Sequence, residues 1–277
     1  MTHFKEKVAI VTGGASGIGR ALCEELGNRD AIVVVADINI KGAKQVASAI
    51  EDKGGKSFAI KVDVTKNNEM QILVEKTITQ YGKLDFFFNN AGVTICGEVR
   101  DLKLSHWQKM IDVNLWGVIN GTTIAYRVMI EQGFGHIVNI ASLDGLMPMP
   151  MATPYTAAKH AVVGLSSTLR LEAADLGVKV SVACPGAVQT SVLDAAEYVG
   201  VQREGAIEEI YGATKMMDAN TCAHAILRGV EKNKNVILDG AVHNGIFWWL
   251  YRLSPRLYNS IMKIGVSEIR KHRIVTS

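Results

Sequence analysis

The sequence predicts an α/β fold: a doubly wound parallel sheet, three layers, single domain. Three observations predict it. Strand-length apolar runs alternate with helix-length patterns along most of the 277 residues, the order expected of a parallel sheet with helices on both faces. The runs are apolar almost throughout, as in AIVVVA at 31–36, which suits strands buried on both sides. The first run also leads through a glycine-rich turn into a helical pattern.

Taken in order, residues 7–12 form a β-branched run and a helix-like segment follows to about Asn28. Residues 31–36 and 57–62 read as the second and third strands, with polar amphipathic helices after each, the second ending near Gln80. The run 85–88 leads into Asn89-Asn90-Ala91-Gly92. One long helix is expected over about 104–132, a strand over 136–141, a helix over 154–176 and a strand over 178–183. A helix over 219–231 and a last strand over 235–238 complete the pattern. Absence of a repeat or linker before about residue 240 favours one domain over 1–245, with 246–277 as a basic and aromatic extension.

Composition narrows the function classes. Apolar residues are 48% and charged residues 21%, enough core to set disorder aside. A net charge of +3 is too small to suggest nucleic acid. The first ten residues lack signal-peptide architecture, and no stretch of about 18 apolar residues suggests a membrane span. The four cysteines are dispersed and read as free thiols of a reducing, cytoplasmic compartment. The seven histidines show no metal-ligand spacing.

Glycines at 13, 17 and 19 follow the first strand. They permit a tight turn and let backbone N–H groups approach a pyrophosphate at a helix N-terminus. Asp37 closes the second strand, 18 residues beyond Gly19, near the offset of an acidic residue that binds adenosine ribose hydroxyls. Its carboxylate would repel a 2′-phosphate, which favours NAD over NADP. It could also cap the helix beginning near Asn39. Further on, Tyr155 and Lys159 stand four residues apart, on one helical face. A neighbouring ammonium favours the phenolate, so the pair can serve in proton transfer.

Together these residues resemble the short-chain dehydrogenase/reductase family over roughly residues 5–240. The resemblance implies a Rossmann-like fold and hydride transfer between NAD(H) and a secondary alcohol or ketone. It implies a catalytic set of Tyr155, Lys159, Ser142 and Asn114, with Tyr155 as general acid/base and Asn114 holding a water that links Lys159 to solvent. It implies cofactor contacts from Gly13, Ser16, Gly17, Ile18, Gly19, Asp37, Asp63, Val64, Asn90, Ala91 and Gly92. Tyr155, Lys159, Pro185, Gly186, Val188 and Thr190 complete that set. Ser142, Asn114 and Asp63 each also have a structural reading, as a turn cap, a kink-satisfying amide and a strand-end cap. A homodimer or homotetramer is expected, paired through the two long helices, the second of which carries Ala157, Ala158, Ala161 and Gly164.

Substrate choice should reside in segments outside these motifs, over 143–153 and 191–217. Their methionines read equally as an adaptable apolar pocket or as core filler. The pocket reading suggests a hydrophobic steroid-, retinoid- or lipid-like substrate. Asp144 stands out where a small apolar residue would fit, and Cys96 reads as a buried thiol. Residues 246–277 carry six Lys and Arg against one acidic residue, a net of +5, interleaved with aromatics. Peripheral membrane contact is one reading. An arm packed over the cleft or on a sister subunit is the preferred one, and Pro255 should interrupt any long helix there.

Overall fold

In the computed structural model, residues 3–190, 196–212, 216–239 and 242–274 are described. Seven parallel strands form the central sheet: β1 (Val8–Thr12), β2 (Ile32–Asp37), β3 (Lys56–Lys61), β4 (Phe86–Asn89), β6 (Gly135–Ile140), β7 (Val178–Cys184) and β11 (Val236–Leu238). Their spatial order is β11-β7-β6-β4-β1-β2-β3. The winding reverses between β1 and β4, and such a switch point opens a crevice at the C-terminal strand ends.

Alternation along each strand explains the unbroken apolar runs. Ala9, Val11, Val33 and Val35 point into one core, which is closed by α1 (Gly17–Asn28), α2 (Ile40–Glu51) and α8 (Ala219–Glu231). Ile10, Val34, Ala36 and Phe87 point into the other, shared with α3 (Asn67–Tyr81) and α5 (Gly117–Gln132). β1 and β2 are therefore apolar on both faces.

The expected helix over 104–132 is interrupted. It comprises α4 (Leu104–Ile111), a π-helical turn at Asp112–Trp116 and α5. A π turn leaves the regular ladder and is frequent at functional sites. Next, α6 (Thr153–Glu172) ends short of the expected Leu176, because 173–177 tightens into turns toward Gly177, whose φ is +75°. A Cβ there would lie 2.0 Å from the Gly133 carbonyl oxygen.

Small elements that sequence reading did not foresee lie between these segments. β5 (Ile95–Gly97) pairs with β9 (Glu197–Val199), and β8 (Val188–Gln189) with β10 (Met217–Asp218), both parallel. α7 spans Arg203–Tyr211.

The C-terminal part of the chain forms α9 (Val242–Leu253), which begins before the expected boundary at 245, and α10 (Pro255–Arg270). Pro255 ends one helix and opens the next, where its missing N–H is harmless. The extension is tied to the body. Arg270 donates to both oxygens of Glu98 at 3.0 Å, Arg273 to Asp101 at 2.6 Å, and the Tyr258 hydroxyl to the Pro148 carbonyl at 2.7 Å.

Candidate active site

A cavity of about 750 Å³ runs along the C-terminal ends of the strands. Asp37 and the glycine turn line it at one end, and Ser142, Tyr155 and the C-terminal helix α10 at the other.

At the first end the backbone folds tightly. Gly13 and Gly17 adopt φ of +65° and +53°, a region that penalises side chains. The Thr12 hydroxyl accepts the N–H groups of Asn90 and Ala91 at 3.0 and 3.1 Å and donates to the Phe88 carbonyl. The Asn90 amide donates to the Thr12 and Gly13 carbonyls at 2.9 and 3.2 Å. This lattice locks the Gly turn to the Asn90–Gly92 segment. Ser16, the residue before α1, makes no side-chain cap, so the first N–H groups of that helix stay available to an anion.

Asp37 reaches into this turn, accepting the Ala15 N–H at 3.0 Å and the Asn39 N–H at 2.8 Å. Capping of α2 falls to Asn39, whose side chain accepts from Gly42, and not to Asp37. Asp63 lies two residues beyond β3. Its Oδ1 accepts the Thr65 N–H and hydroxyl, so the strand-end cap is realised while the residue also lines the cavity.

Ser16, Ile18, Val64, Pro185, Gly186, Val188 and Thr190 line the cavity as well. Gly19 does not. A Cβ on Gly19 would lie 2.1 Å from the Gly13 carbonyl oxygen, so this glycine serves the turn's close packing. Sequence reasoning missed Asp239, a buried carboxylate that accepts the Gly186 N–H at 2.7 Å and so holds the Pro185-Gly186 loop. No local motif marked it.

At the second end, α6 presents Tyr155 and Lys159. The Lys159 Nζ lies 5.3 Å from the tyrosine ring centroid and donates to the Ile140 carbonyl at 2.9 Å. Ser142, just past β6, acts to lower the pKa of both the Tyr155 phenol and the Asp144 carboxyl, and its Oγ accepts the Asp144 N–H at 3.2 Å. The turn-cap reading of Ser142 is thus realised alongside its place at the site.

Enclosure dominates the electrostatics. Burial raises the Tyr155 phenol above its ordinary value, and the Asp144 charge adds to this. That is opposite to the lowering expected from Lys159, whose own pKa falls to about 8, again mainly through burial. Burial lifts Asp144 to about 6, with Ser142, Lys159 and His160 opposing.

Asn114 sits in the π turn, wholly buried. Its Nδ2 donates to the carbonyls of Met110 and Val93 at 3.1 and 3.0 Å, and its Oδ1 accepts the Val93 N–H at 3.1 Å. The kink-satisfying role is therefore met. Oδ1 keeps a second lone pair, and the residue lines the cavity.

The remaining walls are apolar. Met147, Met149 and Met151 come from the expected 143–153 segment, and Cys96 joins them as a buried thiol raised to about 12 by burial. The second expected segment contributes differently. No described residue from 196 to 217 lines the cavity, and 191–195 and 213–215 lie outside the described residues. Tyr258, Met262, Val266 and Ile269 of α10 line it instead. Their i, i+4, i+8, i+11 spacing was the available signal for a buried helical face.

Residues 7–198 match the family described as short chain dehydrogenase. The chain belongs to the short-chain dehydrogenase family. Cyclohexanol dehydrogenase of Acinetobacter sp. (strain SE19) is 37% identical over 193 residues, 69% of this chain and 76% of that one. A Burkholderia phymatum short-chain dehydrogenase/reductase, solved in complex with NAD, superposes with a TM-score of 0.79 at 26% identity, covering 100% of this chain and 99% of the other. Levodione reductase gives a TM-score of 0.77 at 26% identity, covering 85% and 96%. This short-chain dehydrogenase is thus matched by the Burkholderia protein along its whole length, extension included.

Proposed function

We propose that this dehydrogenase transfers hydride between NAD(H) and a hydrophobic secondary alcohol or ketone, with Tyr155 as the general acid/base. The observation that carries the reading is one continuous cavity lined at one end by Asp37 and the glycine turn and at the other by Ser142, Tyr155 and Lys159. NAD fits the first end on steric and chemical grounds. Gly13, Gly14 and Gly19 leave no room for a Cβ, the N-terminus of α1 is uncapped, and a carboxylate replaces the cations that NADP would need. Arg20, just after the glycine turn, pairs instead with Glu24 at 2.7 Å. The Burkholderia complex supports the same cofactor.

Asp37 would hold the adenosine ribose, the glycine turn the pyrophosphate, and Lys159 the nicotinamide ribose. When bound, the cofactor would supply the hydride acceptor or donor and, oxidised, a positive charge. Ser142 orients the substrate oxygen by hydrogen bond. Tyr155 takes the carbinol proton during oxidation and returns it during reduction. Lys159, anchored on Ile140, keeps its ammonium over the tyrosine ring and favours the phenolate. Asn114 offers its second lone pair to a water on the route from Lys159 to solvent. The thioether-rich walls suit a hydrophobic substrate, and cyclohexanol dehydrogenase is an alcohol-oxidising relative. The outward face of α6 pairs two copies of the chain.

The test is Tyr155→Phe. The variant should keep NAD affinity within about twofold and lose at least ~10²-fold in kcat, the lower range of general acid–base catalysis. Undiminished turnover of the purified variant on an alcohol such as cyclohexanol would remove Tyr155 from the mechanism.

A further inference from the structure

The two C-terminal helices carry a second apolar face directed away from the cavity. Ile246, Trp249 and Leu253 follow one another at i, i+3, i+7 on α9, and Leu257, Ile261 and Ile264 at i, i+4, i+7 on α10. All six are between 39% and 78% exposed. At 3.6 residues per turn, the outer stripe of α10 lies roughly 110° from the Tyr258–Met262–Ile269 face that meets the cavity. A soluble domain seldom leaves so contiguous an apolar surface unpartnered.

The charges beside this face select its partner. Arg252, Arg256 and Lys263 are exposed and make no ion pair among the described residues. The other tail arginines, Arg270 and Arg273, are committed to Glu98 and Asp101. Pairing of two copies about a two-fold axis through this face would set the three free cations against their own duplicates. An anionic lipid surface would complement them, each cation near such a surface strengthening binding roughly fivefold. No described helix is long and apolar enough to cross a membrane, which leaves an in-plane position with the apolar stripe at the acyl boundary.

We infer that the outer face of α9 and α10 docks on anionic membrane surfaces, setting the substrate cavity against the lipid. Phe247 links the two functions, because it lines the cavity and is also 36% exposed, at the rim between wall and stripe. A hydrophobic alcohol could then pass from the lipid into the cavity without crossing bulk water. This inference rests on the proposed activity only for that substrate route. The docking itself stands on the exposed stripe and its cations.

The experiment is flotation of the full chain with vesicles of phosphatidylcholine alone and of phosphatidylcholine with one-third phosphatidylserine. A variant carrying Trp249→Ser, Leu253→Ser and Ile264→Ser is run alongside, since none of the three lines the cavity. The wild-type chain should float with the anionic vesicles, at least tenfold more than with the neutral ones, and the triple variant should lose at least tenfold of that binding. Absent flotation of the wild type, or equal flotation of both proteins, overturns the docking. So does a triple variant whose only change is a smaller mass by light scattering, which would make the face a contact between copies. Turnover of water-soluble cyclohexanol, measured on both proteins, tests the activity separately. It should be equal in the two, and its absence from a wild type that floats would count against the catalytic reading and not against docking.

Discussion

Asp144 is the residue through which the site's electrostatics turn. It is enclosed by protein, with its remaining accessible surface on the cavity. Lys159 and His160 of α6, Cys96 of β5 and Tyr258 of α10 interact with it electrostatically, as do Ser142 and Tyr155. With its carboxyl near 6, Asp144 is ionised in the range where alcohol oxidation needs the phenolate, and its charge holds the Tyr155 proton on. Removing that charge should therefore ease deprotonation. In Asp144→Asn the rising limb of kcat/KM for oxidation should shift to lower pH. Superimposable pH profiles for the two proteins would show that Asp144 does not act on the phenol. The sequence marked this residue as unusual, but it could not show that Ser142 acts on both the carboxylate and the phenol. That double action depends on where the turn after β6 meets α6, a tertiary fact with no local periodicity.

At the level of elements, legibility followed locality. The turn from β1 to α1 could be read because its glycines answer to backbone geometry within eight residues. Asp37 could be read because strand length fixes its offset. The π turn at Asp112–Trp116 could not, since its sequence, DVNLW, has ordinary helical propensities. Asn114 itself stabilises the irregularity by bonding the Met110 carbonyl four residues back and both backbone groups of Val93. The wall formed by α10 also escaped, because its partners lie about 110 residues away, as with Tyr258 and Pro148. A prediction belongs to the glycine turn. In Gly19→Ala the new Cβ would meet the Gly13 carbonyl oxygen at 2.1 Å and the Asn90 amide at 2.4 Å. The first is backbone, so the turn must shift. Overpacking of this kind costs about 1–3 kcal/mol. The variant should melt lower by calorimetry and bind NAD at least tenfold more weakly by titration calorimetry. A variant matching wild type in both would show that the turn yields without consequence.

At the scale of the whole molecule, two outward faces have different chemistry. The C-terminal face is cationic and bulky, whereas the outer stripe of α6 is small and uncharged. Ala157, Ala161 and Gly164 are exposed at i, i+4, i+7, and a Cβ on Gly164 would meet nothing within 4 Å. Ala158, grouped with them on sequence grounds, points inward and is fully buried, so it takes no part. Exposed Trp116 and Leu171 flank the same helical layer, at 52% and 78%. Small residues let two helix backbones approach closely, and the flanking apolar side chains then bury against the partner. A two-fold contact there is self-complementary, since no like charges are forced together. Ala161→Arg places a long cation at the middle of that stripe without touching the core. The expected result is a smaller mass by light scattering at unchanged circular dichroism, with NAD binding retained because Ala161 lies outside the cavity. A variant that keeps the wild-type mass, or a wild type that is already monomeric, would rule out pairing through α6.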